Sequence, residues 1–101
     1  MPIEKVQAEH QRIKILIALK ESPDYGANTS MLHDVLNIYA LGCSSAQLKT
    51  LLNWLEENGY VENEKLSEST WVARITDTGM DVAEGRSTVP GIKRPDPRSS
   101  L

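Results

Sequence analysis

The stretch from Ser44 to Val61, SSAQLKTLLNWLEENGYV, restricts the possible folds of this chain more than any other segment does. Ser44 is followed three residues later by Gln47, which is the spacing of a capping box at a helix N-terminus. Leucines then recur at i, i+3, i+4 and i+7, and they are Leu48, Leu51, Leu52 and Leu55. Asn58-Gly59 is a typical helix stop, and Tyr60-Val61 begins a strand. The pattern predicts a capped helix with one buried face, followed directly by a strand.

Two further helices are predicted before this stretch. The first spans residues 3–21, and its second half, IKILIAL, is apolar on nearly every side. The breakers in residues 22–26 indicate a loop. A second helix begins at the capping residues 28–30 and runs to about Ala40, and Leu41-Gly42-Cys43 connects it to the capped helix. Two helices joined by a short Gly-containing turn are typical of a helix-turn-helix.

A β-hairpin and a short helix are predicted after the capped helix. Tyr60–Glu64 and Thr70–Thr76 form the two strands, and Thr76 then caps a helix over Asp77–Glu84, which Gly85 ends. The predicted fold is mainly α with a small β-hairpin: a winged helix-turn-helix with a three-helix core, a wing, a short fourth helix and an extended C-terminal tail. We therefore predict a domain over residues 1–85 and a basic, proline-containing tail over residues 86–101.

The net charge of −3 is unevenly distributed. Residues 86–101 contain one acidic and four basic side chains and so carry +3, which leaves −6 on residues 1–85. The basic residues of the tail are Arg86, Lys93, Arg94 and Arg98. An acidic body argues against a generally basic nucleic-acid-binding protein, and it makes the tail the expected contact for anions.

Several functional classes are not indicated by the sequence. No apolar run approaches the roughly 18 residues that a membrane span needs, and the N-terminal residues show no signal-peptide pattern. The single cysteine, Cys43, cannot form an internal disulfide, which fits a reducing cytoplasm. Catalytic and nucleotide-binding motifs are missing, and His10, His33 and Cys43 lack metal-ligand spacing. We expect no enzyme activity, no cofactor and no metal site.

The outer face of the capped helix suits contact with double-stranded DNA. Its side chains of a type that contacts base edges or phosphates are Ser45, Gln47, Lys49, Thr50 and Asn53. They lie toward the N-terminal half, which enters the major groove in helix-turn-helix proteins. With the arm 86–98 on the phosphates, these five residues and the four tail cations form the predicted DNA interface.

The predicted wing leaves an alternative open. Glu62, Glu64 and Glu68 accompany a single cation, Lys65, and phosphates would repel these carboxylates. The alternative is a winged helix that binds a partner protein and no DNA.

The first helix indicates a second subunit, because so small a chain can hardly cover a helix that is apolar nearly all round. The other interpretation is a central core helix within one chain. We predict a homodimer whose interface includes Ile13, Ile15, Leu16 and Leu19.

Three segments resemble known proteins. Leu51–Val61 is similar to the end of the third helix of ArsR-like and related winged-helix proteins, and the pattern T-x-x-G-x-x-V-A-x-G-R over residues 76–86 resembles the helix after their wing. The whole chain, including RSTVPGIKRP over residues 86–95, resembles a family of small proteins of Mu-like bacteriophages and prophages. The resemblance implies a winged-helix DNA-binding regulator in the cytoplasm of a bacterial host, or alternatively a phage assembly or host-interaction factor. Because Cys43 stands alone, the metal response of ArsR sensors is not implied.

Overall fold

The computed structural model describes residues 2–95, in which a three-stranded sheet packs beside a helix-turn-helix. The elements are α1 Ile3–Glu21, a 3-10 turn Pro23–Tyr25, β1 Gly26–Asn28, α2 Thr29–Ile38, α3 Ser45–Glu57, β2 Val61–Lys65, β3 Trp71–Ile75 and α4 Asp77–Ala83. The predicted fold class, a mainly α winged helix-turn-helix with a hairpin wing, is confirmed. The second helix ends at Ile38, two residues before the predicted end.

The start and the buried face of α3 follow directly from local sequence. The Ser44 side chain accepts a hydrogen bond from the Gln47 N–H at 3.1 Å, and the Gln47 side chain accepts one from the Ser44 N–H at 2.9 Å. This is the predicted capping box, and it satisfies two backbone donors that the helix itself leaves free. The leucine stripe is buried, and burial of each such side chain contributes about 1.5–3 kcal/mol.

The short strand β1 was not predicted. It pairs antiparallel with β3, with Ala27 opposite Ala73, so that the strand order is β1-β3-β2. Three residues are too few to show an alternating pattern, and the pairing partner is distant in sequence. The Thr29 hydroxyl donates to the Ser69 carbonyl at 3.2 Å and accepts from the Trp71 N–H at 3.4 Å. These bonds hold the start of α2 beside the wing.

Helix α1 is covered by other elements of its own chain. Ile15, Leu16 and Leu19 have no exposed surface, and Ile13 is 3% exposed. The expectation that one chain could hardly bury this helix is wrong, because α2, α3, α4 and the sheet all pack against it. The four residues predicted as a homodimer interface are therefore core residues, and of them only Ile13 keeps a small exposed surface.

Residues 86–95, termed the strap, fold back onto α1. The Lys93 N–H donates to the Glu9 carbonyl at 3.3 Å, Ile92 is buried in the core, and Val89 packs against it. The strap has neither helix nor strand, as predicted for the tail. The boundary predicted after residue 85 does not separate it from the core, however. The remaining tail residues 96–101, which include Arg98, lie outside the described residues.

Candidate nucleic-acid interface

The N-terminal half of α3 presents polar side chains to solvent. Of the five predicted contact residues, the exposed ones are Ser45, Gln47 and Thr50, and the half-buried ones are Lys49 and Asn53. Gln47 uses its carbonyl oxygen in the capping box, so its amide N–H groups stay available to a base or phosphate. The Thr50 hydroxyl donates to the Ala46 carbonyl at 3.0 Å, which leaves it only as an acceptor. The five predicted residues thus lie together on one helix, and Ser45 and Gln47 have the most hydrogen-bonding capacity left for a ligand.

Two lysines from different elements converge on Trp71. The ammonium of Lys49, on α3, lies 5.7 Å from the centroid of the indole ring, and that of Lys65, at the end of β2, lies 4.6 Å from it. The strand register places Lys65 directly opposite Trp71 on β3. Because the indole face attracts cations, the nearly buried Trp71 holds both charges where α3 meets the wing. Lys65 is not among the predicted contact residues, since its sequence neighbours are mostly acidic.

A groove of about 270 Å³ has Lys49 in its lining. The first turns of α2 and α3 and the wing turn line it, with polar side chains that include Ser30, His33, Asp34, Ser45 and Thr70. The N-terminal end of a helix carries partial positive charge, so two such ends opening on one groove favour an anion there. This groove, the N-terminal half of α3 and Lys65 together form the front face.

Some of the carboxylates near the wing have hydrogen-bond or ion-pair partners within the domain. Glu56 accepts hydrogen bonds from the backbone and side-chain amides of Asn63, at 3.0 and 3.3 Å, and these bonds fix α3 to β2. Glu64 forms an ion pair with Arg74 across the hairpin at 3.1 Å. The other wing carboxylates, on Glu62 and Glu68, are exposed. The front face is consequently weakly charged, and Lys49 and Lys65 are its main cations.

Arg86 is paired within the domain. Its guanidinium contacts Asp81 at 2.7 Å and also contacts Glu84. These side-chain hydrogen bonds, first to Asp81 and then to Glu84, raise the pKa of Arg86. The predicted role of Arg86 as a phosphate contact would require it to exchange two carboxylates for DNA.

The strap cations border a groove that has no α3 residue in its lining. Lys93 and Arg94 are exposed and border a groove with His10 and Lys14 of α1. The single interface predicted from α3 and the tail is therefore divided between two places in the structure, and the last predicted contact, Arg98, falls outside residues 2–95.

An arginine and a tryptophan anchor the strap. The Arg12 guanidinium lies 4.1 Å from the centroid of the Trp54 ring and donates to the Gly91 carbonyl at 2.7 Å. Its burial lowers the pKa of Arg12. Gly91 has a φ of 89°, and a Cβ at this position would lie 2.7 Å from the Trp54 ring, so a glycine is required there. Trp54 thus packs on α1 and the strap, whereas Trp71 packs at the helix–hairpin junction.

Within residues 2–95, no cluster of three His, Cys, Asp or Glu side chains is arranged to hold a metal ion. In the same range, no helix combines the length and apolar character needed to cross a membrane. Cys43 is half-buried, and burial raises the pKa of its thiol, which disfavours the reactive thiolate.

The chain is similar to proteins of a phage and of a bacterium and to a solved structure. No protein-family model matches the chain. It is 37% identical over 97 residues to the uncharacterized protein gp26 of Escherichia phage Mu, a match that covers 96% of this chain and 99% of gp26. It is 32% identical over 101 residues to an uncharacterized protein of Haemophilus influenzae, covering 100% of this chain and 97% of that protein.

A solved structure with a similar fold is that of Sco3205, a MarR family transcriptional regulator from Streptomyces coelicolor, in complex with DNA. The TM-score is 0.59 at 23% identity, and the match covers 77% of this chain. The chain spans only 49% of the length of Sco3205. At this identity the likeness shows a shared winged-helix fold.

Proposed function

This chain belongs to the family of small Mu-like phage proteins that includes gp26, and we propose that it is a winged-helix DNA-binding protein that regulates transcription for a phage or prophage. The predicted resemblance to Mu-like phage proteins is thereby confirmed. The similar solved fold is a MarR family protein, so the resemblance to ArsR-like proteins stays a prediction. We place the activity in the cytoplasm of the bacterial host.

The observation that carries the proposal is the convergence of Lys49 and Lys65 on Trp71 beside the exposed end of α3. It joins cations to hydrogen-bonding side chains at the part of α3 that enters the major groove in helix-turn-helix proteins. Sco3205 was solved in complex with DNA, and the same fold here presents α3 and the wing on one side. The proposal extends that function to this chain.

In the proposed complex, the N-terminal half of α3 lies in the major groove. Ser45 and Gln47 reach base edges, whereas Lys49 and Lys65, which are held over the same ring, reach phosphates at one edge of the groove. Because each phosphate contact releases counterions, two lysines give a modest, salt-dependent affinity, with log K falling by about 0.9 per contact for each unit of log salt. Sequence selectivity would come from Ser45 and Gln47.

Fluorescence anisotropy with labelled fragments of phage or prophage DNA at low salt tests this proposal. We expect at least one fragment to bind more tightly than a scrambled duplex of the same length and composition. If every fragment, specific or scrambled, fails to bind at low salt, the proposed function is wrong.

A homodimer remains part of the proposal, since two half-sites about 34 Å apart match the symmetry of many winged-helix and helix-turn-helix regulators. Such a dimer needs a surface other than the buried residues Ile13, Ile15, Leu16 and Leu19. Sedimentation of the full chain with and without a two-site duplex will measure the number of chains in the free protein and in the complex. A complex of one chain per duplex contradicts the dimer while leaving DNA binding intact.

The alternative is a phage assembly or host-interaction module that binds protein and no DNA. The exposed carboxylates of Glu62 and Glu68 on the wing favour it, because they oppose the approach of a phosphate backbone. Replacing both with Gln distinguishes the two functions: stronger DNA binding supports a wing that approaches phosphates, and undetectable binding by both forms supports the alternative.

A further inference from the structure

A second groove, of about 240 Å³, lies between α1 and the strap and is termed the rear groove. Its apolar lining consists of Ile13, Ile17 and Pro95, and its basic lining of His10, Lys14, Lys93 and Arg94. None of the described residues that line it is acidic. A concave apolar surface bordered by cations is thus built from two segments that are distant in sequence.

The rear groove is separate from the front face. The stripe of α1 that lines it contains His10, Lys14 and Ile17, whereas Gln7 and Gln11 of α1 approach α3. At about 100° per residue the two stripes are adjacent on α1, but only the first lines the rear groove. The rear groove also shares no lining residue with the front groove. A ligand in the rear groove therefore need not compete with DNA on α3.

The cations of the rear groove are not neutralised by ion pairs within the described part of the chain. The ion pairs found in residues 2–95 involve Lys20, Arg74 and Arg86. By contrast, Lys14, Lys93 and Arg94 have none there. In a chain with a net charge of −3, this grouping of cations creates a local positive potential that attracts an acidic ligand.

Two exposed apolar side chains lie at the C-terminal end of α2, and one of them contacts Lys14 of the rear groove. The Lys14 ammonium lies 4.2 Å from the centroid of the Tyr39 ring, which joins the two regions. Tyr39 is 42% exposed and Ile38, its neighbour in sequence, is 76% exposed. Adjacent exposed apolar side chains of this size are typical of surfaces that bind other proteins.

From these observations we propose that the rear groove, with Tyr39 and Ile38, binds an acidic amphipathic segment of a partner protein. Carboxylates of the segment pair with Lys14, Lys93 and Arg94, while its apolar side chains pack on Ile17 and Ile38. Complementary charge accelerates association and selects the partner, and the apolar contacts slow dissociation. A DNA backbone fits less well, because it has no apolar side chains to place against this lining. The inference does not depend on whether α3 binds DNA.

Binding of a probe peptide to the full chain tests the inference. The probe is a labelled helical peptide with Leu at i, i+3, i+4 and i+7 and mostly Glu elsewhere, and the matched control has Gln in place of every Glu. We expect the Glu peptide to bind about tenfold more tightly than the Gln peptide at low salt. The double variant Lys14→Glu with Arg94→Glu should lose about tenfold in affinity for the Glu peptide and little for the Gln peptide.

Three matched variants give this test its specificity. Lys5→Glu, at an exposed position of α1 outside the groove, should leave peptide affinity within about twofold. Ile38→Ser should weaken both peptides about threefold without loss of thermal stability, because the side chain is largely exposed. Lys49→Ala with Lys65→Ala should leave peptide binding unchanged, since these lysines are on the front face.

Equal affinity for the Glu and Gln peptides would overturn the inference, as would an equal loss in the Lys5→Glu control. If Lys14→Glu with Arg94→Glu abolishes duplex binding and leaves peptide binding intact, the groove belongs to DNA and the inference is wrong. If the same variant converts a dimer to a monomer, a second copy of the chain is the occupant instead. If the groove variants weaken peptide binding and leave duplex binding unchanged, the inference is supported. The same holds if α3 binds no DNA at all and only peptide binding is weakened.

Discussion

The front face and the rear groove differ in how their charges are used. At the front, the cations are fixed over Trp71, and neighbouring carboxylates such as Glu56 and Glu64 are bound within the domain. At the rear, Lys14, Lys93 and Arg94 border an apolar lining without ion pairs in residues 2–95. The front is therefore built to position a few hydrogen-bonding groups, whereas the rear combines attraction for anions with exposed apolar surface. A count of charges along the chain would have assigned both to one interface.

The largest expected effect concerns the stability that the strap, which forms one side of the rear groove, gives to the domain. Ile92→Ala removes the buried anchor of the strap, and we expect the free energy of unfolding to fall by about 2 kcal/mol, near the low end for such a change because the strap can partly undock. The midpoint of thermal unfolding should fall by about 10 °C. The exposed Ile38→Ala is the control and should change stability by less than about 0.5 kcal/mol. Equal stability of the two variants would mean that the strap does not belong to the folded domain.

The next effect concerns the affinity of the front face for DNA, compared with that of the rear groove. Lys49→Ala with Lys65→Ala should lower duplex affinity about tenfold at low salt and reduce the slope of log K against log salt by about 2. Removal of two phosphate contacts is the physical cause. Anisotropy over a salt series measures both quantities, with Lys14→Ala and Lys93→Ala as the matched pair from the rear groove. A greater loss in that rear pair would reverse the assignment of the two regions.

A smaller effect concerns the start of α3. Ser44→Ala removes the hydroxyl of the capping box, and we expect a loss of about 1 kcal/mol in the free energy of unfolding measured with urea. Ser45→Ala is the control, because Ser45 is exposed at the first position of the same helix and makes no capping bond. Identical unfolding curves for the two variants would show that the capping box does not stabilise this helix.

The smallest expected effect concerns a cation that the sequence assigned to DNA. Arg86→Ala should change duplex affinity by less than about twofold, because the guanidinium is already paired with Asp81 and Glu84. The same anisotropy assay measures it, beside Lys49→Ala. A loss as large as that of Lys49→Ala would restore the predicted role of Arg86 and contradict the division of the cations.

These regions also show which features local sequence determines. The helix start at Ser44 and Gln47 was predictable because both partners lie within one turn. The pairing of Arg86 with Asp81 was open to prediction as well, since the two residues are only five positions apart, but net charge alone concealed it. The strap was not predictable, because its position depends on Arg12, 79 residues away from Gly91.

The burial of α1 within its own chain was not predictable for the same reason, because it depends on segments that are distant in sequence. Its apolar character was visible, but whether a second subunit or the same chain covers it depends on distant segments. Both the unpredicted strand β1 and the strap add to the covering that a local pattern cannot reveal. Lys65 was missed for a related reason, because its link to Lys49 is made through Trp71 of the opposite strand.

Chemical-shift mapping of the backbone amides during titration with a bound duplex tests the central claim most directly. We predict that the largest shifts fall at residues 45–50 and at Lys65 and Trp71, while residues 10–17, 93 and 94 shift little. The probe peptide should give the complementary map, with its largest shifts at residues 10–17, 38, 39, 93 and 94. A duplex that shifts the rear set and leaves residues 45–50 unchanged would contradict the account.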